Sequence, residues 1–351
     1  MLVPYIRSSS YGNWDFCQMQ YYIIYVLGFQ NKTLLKAELG TATHKVMEVL
    51  GVCKKALQDG DARKSHTIND DAIGDVTFTQ KSLNTDEFVD EIIQRSYDWY
   101  MSQSENDWVD NNLRVSVDGK SITDTFQFVK TLAYKGLNDW KGVCDPRTRN
   151  ILDMEPHFDL PIEEDWAHFE YEKNGEKVKG QLAIKGTIDM VTQPKDDTIE
   201  VIDWKTGERK NFATSEEKDY AALCKDPQLL LYNHALSRLY PDVPNRIMTI
   251  NFLRSGGPFS MAFDDDDDAM FIGMLKRRFT EITNAKRVYP VSQSRNNWKC
   301  KYTCAFSKPD PETGEMICKK VENEIKVHGI DGATANLRKN SFDPSFYSAP
   351  G

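Results

Sequence analysis

The chain lacks any apolar run that approaches the ~20 residues a helix needs to span a bilayer. Its first residues also lack the basic start and apolar stretch of a secretory signal peptide. We therefore expect a cytoplasmic or otherwise intracellular protein with no membrane association. The seven cysteines, an odd number, argue against a disulfide framework there, and clustered cysteines in a reducing compartment favour metal binding.

Several enzyme classes are excluded because their motifs are missing. Asp118-Gly119-Lys120-Ser121 resembles the end of a phosphate-binding loop, but the first glycine of that motif would fall on Arg114. The chain has no Gly-x-Ser-x-Gly elbow and no cysteine-protease signature. We therefore expect no helicase or ATPase motor and no hydrolase of these two types.

Positive charge is also scarce. The 44 Lys and Arg residues are outnumbered by 53 Asp and Glu residues, which gives a formal net charge of −9. This balance does not favour a protein that coats nucleic acid by charge alone. It still permits an enzyme that holds DNA in a local basic groove and uses carboxylates to bind metal. The length of 351 residues allows one large domain or two moderate ones.

Hydrophobic periodicity predicts a mixed α/β protein. A buried N-terminal helix is predicted over residues 8–28, with Gly28 as its stop, and a second helix over Gly40 to Leu50. Residues 61–150 show patches of helical periodicity. Short β-rich runs follow, with a hairpin signal at Asn174-Gly175, then a helix from about Glu216 to Tyr240 that is weak near Pro227. We predict four parts: N-terminal helices (1–60), a mostly helical insertion (61–150), an α/β core (151–290) and a C-terminal cysteine segment with a tail (291–351).

The chemistry is concentrated between Gly186 and Gly207. Asp203 and Lys205 stand two apart on an apolar strand, so their side chains emerge on the same face. Asp189 is predicted on the preceding strand, Thr187 to Thr192, where it would face them. Two carboxylates and an ammonium group at one point suit phosphodiester hydrolysis with Mg²⁺ or Mn²⁺, because carboxylate oxygens hold the metal and the cation offsets phosphate charge.

Two further features belong to this region. The backbone carbonyl of Trp204 offers one more oxygen ligand for the metal. The competing interpretation of Asp203 and Lys205 is an ordinary salt bridge on an edge strand. The apolar neighbours Ile188 and Ile202 oppose that interpretation, since charges on buried strands require a reason.

These residues occur in an order that resembles a known family. The order is a helix with a histidine, then Gly-x-x-Asp, (Asp/Glu)-x-Lys and Gln-x-x-x-Tyr, found here as His44, Gly186 to Asp189, Asp203 to Lys205, and Gln228 to Tyr232. It resembles the RecB-like branch of the PD-(D/E)XK nucleases, which includes CRISPR adaptation nucleases and phage exonucleases. Residues 180–235 carry the resemblance strongly, residues 8–50 support it, and residues 60–150 do not contribute.

The resemblance implies a fold and a set of roles. It implies a restriction-endonuclease-like mixed sheet core with flanking helices. His44, Asp189 and Asp203 would bind a divalent metal, Lys205 would be the catalytic lysine, and Gln228 and Tyr232 would contact DNA or brace the site. Without the resemblance, His44 reads as a surface polar residue, and Gln228 and Tyr232 as residues that cap and pack a helix. Glu155 we expect to be structural or supporting.

Four cysteines form a second candidate site. Cys300 and Cys304 are close in sequence, Cys318 follows, and Cys17 lies near the start in a Cys-x-x-x-Tyr setting. Some RecB-like nucleases hold a 4Fe–4S cluster with one early and three late cysteines, which the resemblance implies here ahead of zinc. Their late trio is usually tighter than this one, so a turn over residues 309–314 would have to bring Cys318 back. The alternative is that all four are free buried thiols, the class to which we assign Cys53, Cys144 and Cys224.

Three functions follow from these patterns. The ordered motifs favour a DNA exonuclease that processes DNA ends in recombination, repair or replication, and such nucleases often act beside a helicase, an annealing protein or a recombinase. A catalytically silent DNA-binding protein on the same fold is opposed by the intact Asp189, Asp203 and Lys205. A sequence-specific endonuclease would share the site chemistry, but the Gln-x-x-x-Tyr motif and the cysteines favour the RecB-like branch.

Overall fold

The computed structural model describes residues 1, 3–30, 34–104, 113–173, 176–210, 216–291, 298–309 and 314–338. In these ranges, helices α1 to α9 are Ser8–Phe16, Gln18–Tyr21, Leu35–Asp59, Asp86–Gln103, Thr125–Gly142, Tyr220–Leu223, Pro227–Leu239, Asp265–Asn284 and Ile317–Leu337. Strands β1 to β14 are Tyr5–Ile6, His66–Asp70, Gly74–Phe78, Val115–Val117, Lys120–Ile122, Ile151–Met154, His157–Pro161, His168–Lys173, Glu176–Gln181, Ala183–Thr187, Met190–Lys195, Thr198–Lys205, Asn245–Phe252 and Phe259–Phe263.

The predicted N-terminal helix is a series of short helical segments. Cys17 has extended backbone angles and separates α1 from α2, and its Sγ accepts a hydrogen bond from the Gln20 amide at 3.4 Å. A π-helical turn, Tyr22–Val26, follows α2. Gly28 has a φ of 77°, which glycine adopts without steric cost, so it ends the segment as predicted.

A five-stranded mixed sheet forms the centre of the molecule. Its order is β14-β13-β12-β11-β6, in which β12 and β13 are parallel and the other pairs antiparallel. Side chains of β12 alternate between two hydrophobic cores: Ile199 and Val201 enter one, and Ile202 and Trp204 the other. Because both faces of the sheet are covered, the structure confirms the predicted mixed α/β class with flanking helices.

A bend joins this sheet to a second one. Strands β10 and β7 pair in a three-stranded sheet with β1, and their continuations β11 and β6 pair in the central sheet. At the bend the Glu155 amide donates to the Asp189 carbonyl at 3.1 Å, and the Ile188 amide to the Pro156 carbonyl at 3.2 Å. The predicted continuous strand from Thr187 to Thr192 is therefore wrong, because the chain turns at Ile188 and Asp189 to pass between the sheets.

Residues 61–150 contain more than helices. Besides α4 and α5, they include the hairpins β2–β3 and β4–β5, which the sequence analysis did not predict. The apolar faces of these elements and of α3 share one core with Ile151, Met190, Ile202 and Trp204 of the central sheet. The region thus covers one face of the sheet, and the predicted domain boundaries stay a prediction.

Two other local predictions have definite outcomes. The helix predicted from Glu216 to Tyr240 is two helices, because α7 begins anew at Pro227, with Asp226 accepting from the Gln228 amide at 2.9 Å. Strands β8 and β9 pair as predicted, and the Asn174-Gly175 turn lies outside the described residues. In the part of the chain that the structure describes, no helix has the length and apolar character needed to cross a membrane.

Candidate active site

The C-terminal end of β12 carries the predicted Asp-x-Lys pair. Asp203 and Lys205 share a face of the strand, and the lysine Nζ lies 3.0 Å from Asp203 Oδ1 and 2.7 Å from Oδ2. Asp203 is completely buried, and β12 lies between β11 and β13. An edge-strand salt bridge therefore does not describe this pair.

Helix α7 brings two more polar side chains to the same carboxylate. Gln228 Nε2 donates to Asp203 Oδ1 at 3.1 Å and to the Tyr232 hydroxyl at 2.7 Å. The Tyr232 hydroxyl lies 2.9 Å from the Thr187 carbonyl and 3.4 Å from Asp203 Oδ1. Because they are four residues apart on a helix, Gln228 and Tyr232 reach the site from one face. The two side chains therefore contact each other and the Asp203 carboxylate.

Asp189 lies at the bend between β10 and β11, beside this group. Its Oδ2 accepts a hydrogen bond from the Trp204 amide at 2.8 Å and lies 3.4 Å from His44 Nδ1 on α3. The predicted His44, Asp189, Asp203 and Lys205 thus meet at one place. The structure gives Trp204 a contact through its amide, and its carbonyl as a metal ligand stays a prediction.

Glu155 lies beside His44 and Asp189, although only a structural or supporting role was predicted for it. Ligand atoms of His44, Glu155 and Asp189 all lie within 4.8 Å of one another. Glu155 has a φ of 49°, an unusual conformation for a residue other than glycine, at the bend where its amide pairs with the Asp189 carbonyl. The only sequence signal was its position between a β-rich run and Pro156, because the pairing of β6 with β11 is long-range.

The titration of His44 and Asp189 is linked. Burial by itself would lower the pKa of His44, but the Asp189 carboxylate opposes burial and the net direction is upward. Burial would likewise raise the pKa of Asp189, and His44 outweighs it so that the pKa falls. The pair therefore favours an ionised carboxylate beside a protonated imidazolium.

Other carboxyl groups in the site shift the opposite way. Burial raises the pKa of Glu155 to about 8, with the charges of Asp189 and Glu48 acting in the same direction. Burial raises the pKa of Asp203 to about 6, although Lys205 opposes it. For Lys205, burial would lower the pKa, but Asp203 and Asp189 raise it above the ordinary value. Divergent pKa values of neighbouring groups in one site are typical of functional centres.

The four predicted cluster cysteines line a single cavity. Cys17 reaches it from the junction of α1 and α2, Cys300 and Cys304 from around a π-helical turn, Lys299–Thr303, and Cys318 from α9. These four cysteines form no disulfide bonds, and all four are partly buried. The part of the turn predicted over 309–314 that spans residues 310–313 lies outside the described residues.

The titration of Cys304 is influenced by two other cysteines of the cavity. Burial raises the pKa of its thiol, and the neighbouring Cys17 and Cys300 add to that shift. The amides of Phe306 and Ser307 donate hydrogen bonds to the Cys304 sulfur, which lowers the pKa in opposition. Hydrogen bonds of this kind stabilise thiolates that bind metal. Cys53, by contrast, is completely buried in the core on the other face of the sheet.

Comparison with known proteins identifies a family, and the solved structures that match include two distant ones. A model of the family described as the PD-(D/E)XK nuclease superfamily matches residues 9–308, whereas curated proteins give no significant match. A candidate exonuclease from Eubacterium rectale aligns with a TM-score of 0.40 at 10% identity, covering 88% of this chain and 91% of that one. A protein named SSO0001 aligns with a TM-score of 0.25 at 17% identity, covering 52% and 68%. Both structural likenesses are remote, while the family match runs from the N-terminal helices to the cysteine segment.

Proposed function

Since the chain belongs to the PD-(D/E)XK nuclease superfamily, we propose that it is a metal-dependent deoxyribonuclease that hydrolyses phosphodiester bonds from free DNA ends. The observation that carries the proposal is the burial of Asp203 in the middle of a sheet. Its carboxylate contacts Lys205, Gln228 and Tyr232. Burying such a group is costly unless its hydrogen bonds are made, so the arrangement supports a function for the carboxylate.

The residues present fit a divalent metal ion. His44 offers an imidazole nitrogen, and Glu155 and Asp189 offer carboxylate oxygens within 4.8 Å. Asp203 is the further carboxylate that we assign to this ion, with the Trp204 carbonyl as an additional oxygen donor. Oxygen-rich donors with one imidazole suit Mg²⁺ or Mn²⁺. When bound, such an ion supplies Lewis-acid polarisation of the phosphate and a lowered pKa for a bound water.

Protein side chains supply the other functions of the site, namely charge stabilisation and positioning. Lys205 stays protonated at neutral pH because its pKa is raised by Asp203 and Asp189, so its ammonium offsets the charge that develops on the phosphate. Gln228 and Tyr232 fix the carboxylate of Asp203. We assign them to positioning ahead of DNA contact, since both hydrogen-bond within the site.

An assay on two DNA forms tests the proposal. End-labelled linear DNA and covalently closed circles are incubated with Mg²⁺, Mn²⁺ or EDTA. We expect linear DNA to be degraded only with metal and closed circles to survive. Discrete fragments from closed circles would instead indicate an endonuclease. If the protein binds DNA but hydrolyses it under none of these conditions, it is the catalytically silent DNA-binding protein.

Substitutions assign the roles in the same assay. Lys205→Ala is expected to lower the rate about 100-fold or more while Mn²⁺ binding, followed by calorimetry, stays close to that of the parent. Asp189→Asn is expected to lose both. Lys195, an exposed lysine of β11, provides the matched control, and Lys195→Ala should behave as the parent. An Asp189→Asn protein with parental activity in Mg²⁺ would contradict the assignment.

A further inference from the structure

Three exposed aromatic rings lie close in sequence, one just before the cysteine segment and two within it. Tyr289 is 60% exposed, Trp298 40% and Tyr302 61%. Isolated exposed apolar side chains are normal on protein surfaces, but several large rings in one short segment indicate a binding surface. Neither the proposed hydrolysis nor the cysteine cavity uses these rings.

Shared neighbours connect Tyr289 with Trp298. Tyr289 lines an open cleft of about 650 Å³ together with Phe16 and Cys17. Phe16 and Cys17 also line the cysteine cavity, whose other wall includes Lys299. Trp298 and Tyr302 stand four apart across the π-helical turn that carries Lys299, so they lie near the same side of it.

Cations accompany the rings. The buried Lys299 connects two rings, with its Nζ 4.6 Å from the centroid of the Phe16 ring and 6.0 Å from that of Trp298. Lys301 Nζ lies 5.1 Å from the centroid of the Tyr302 ring. Aromatic faces flanked by ammonium groups are the elements with which proteins bind stacked bases and their phosphates.

The charge of this surface differs from that of the whole chain. The carboxylates at the cleft are Asp15 and Glu281, and both pair with Arg278, at 2.6 Å and 3.5 Å. Arg287 and the adjacent Lys286 are exposed. Arg278, Arg287, Lys286 and Lys301 thus outnumber these two carboxylates in a chain whose net charge is −9, and this local excess of cations favours a polyanion as the partner.

We propose that Tyr289, Trp298 and Tyr302, with Arg287 and Lys301, form an aromatic-basic surface that binds single-stranded DNA outside the catalytic centre. The inference rests on the proposed function, since it supplies a place for the strand of the DNA substrate. Unpaired bases can stack on exposed rings while their phosphates contact the cations, whereas the bases of a duplex are already stacked on each other. The surface therefore discriminates in favour of single strands.

Binding of a fluorescent oligothymidylate, followed by anisotropy, tests the proposal. The full chain carries Lys205→Ala to prevent hydrolysis, and Mg²⁺ is present. We expect Tyr302→Ala and Tyr289→Ala each to weaken binding about fivefold or more, since stacking on one ring contributes at least that factor. Lys301→Ala should weaken binding and reduce its salt dependence. In the otherwise unsubstituted protein, Tyr302→Ala should raise KM for single strands and leave kcat unchanged.

Matched controls lie elsewhere on the surface. Trp140 is 67% exposed and Lys81 is also exposed, both in the region before the central sheet, so Trp140→Ala and Lys81→Ala should bind as the parent does. Unchanged affinity in a Tyr289→Ala, Tyr302→Ala double variant would overturn the inference and leave the surface to a protein partner. Equal weakening for a duplex of the same length would also overturn it. If the parent binds no DNA at all, the proposed function fails together with this inference.

Discussion

The two aspartates of the site are not equivalent at the scale of single residues. Asp189 pairs with His44 and the Trp204 amide, and its pKa is lowered, so it is ionised at neutral pH. Asp203 is more deeply buried, and its pKa is raised to about 6. A cation next to Asp203 would favour its ionised form. We therefore expect metal binding to release protons from this site.

Glu155 provides the clearest pH-dependent effect. Its pKa is raised from 4.5 to about 8 in the folded protein, so between these values the folded state holds a proton that the unfolded state has released. Stability must therefore fall as pH rises from about 4.5 to 8, by at most about 1.4 kcal/mol per pH unit for one proton. We expect the metal-free protein to melt at a higher temperature at pH 6 than at pH 8, and Glu155→Gln to reduce this difference.

The comparison between variants isolates the effect from other titrating groups. His44 also loses a stabilising proton as pH rises, since its pKa is raised, but it is present in both proteins. Glu48→Gln serves as a control, because the Glu48 carboxylate affects Glu155 only through its charge. This variant should change the dependence of melting temperature on pH less than Glu155→Gln does. If Glu155→Gln and the parent show the same dependence of melting temperature on pH, Glu155 does not titrate in this range.

Single residues differed in how far the sequence revealed them. Asp203 and Lys205 share a face of β12, and Gln228 and Tyr232 a face of α7, because their spacing follows the periods of a strand and a helix. That the two pairs meet was implied by the family resemblance and not by spacing. The position of Glu155 beside Asp189 depends on the pairing of β6 with β11 and on a positive φ. Neither leaves a local signal in the sequence.

At the scale of elements, helix α3 places His44 by means of two glycines. A Cβ added at Gly40 would lie 2.5 Å from Thr206 Oγ1, and one at Gly51 would lie 2.4 Å from the Met154 sulfur. Gly40, His44 and Gly51 recur at spacings of four and seven residues, so they share a face of the helix. The helix backbone can therefore approach β12 and β6 closely on both sides of His44.

Gly40→Ala tests this arrangement. The new methyl group must displace Thr206 or α3, and His44 is one turn further along the helix. We expect weaker Mn²⁺ binding by calorimetry and a loss of about 10-fold or more in kcat, as small misplacements in active sites commonly cause. Thr206→Ala in the same protein should restore both, since the added group would then meet only a Cβ at 3.6 Å.

A matched glycine controls for the effect of alanine itself. A Cβ at Gly12 in α1 would meet nothing within 4 Å. Gly12→Ala should therefore leave metal binding unchanged and raise stability by up to about 1 kcal/mol, because alanine favours helices over glycine. Parental metal affinity in Gly40→Ala would show that the close approach of α3 is not required.

The elements themselves were predicted unequally. Helix α3 was expected over Gly40 to Leu50 and extends over Leu35–Asp59, since its amphipathic face continues into the core with Cys53 and Leu57. The hairpins β2–β3 and β4–β5 are short and polar on one side, so their alternation was too weak to detect. Their apolar side chains pack against α3 and the central sheet, and these long-range contacts leave no local signal in the sequence.

At the scale of the whole molecule, the N-terminal segment packs against the C-terminal one. The Tyr22 hydroxyl contacts the Ile330 carbonyl at 3.1 Å and Thr334 Oγ1 at 2.7 Å. The Met19 amide donates to the Tyr289 carbonyl at 3.1 Å. The cysteine cavity lies within this junction, so a metal cluster held by Cys17 and the three later cysteines would join segments that already touch. It would stabilise a junction that other contacts also hold.

Iron–sulfur binding by this cavity is the prediction that follows for the whole molecule. Protein purified without oxygen should be brown, absorb near about 400 nm, and contain iron and acid-labile sulfide. Cys17→Ser should lose the colour, and its melting temperature should fall by roughly 5–10 °C, since ligation is coupled to folding. The protein should remain folded by circular dichroism, because the contacts of Tyr22 and Met19 do not involve the cluster.

Cys224 is partly buried and does not line the cavity, so Cys224→Ser is the control. Colourless protein with stoichiometric zinc would indicate that zinc, and not an iron–sulfur cluster, joins the N-terminal and C-terminal segments. Metal-free protein in which Cys17→Ser melts like the parent would show that the four cysteines are free thiols.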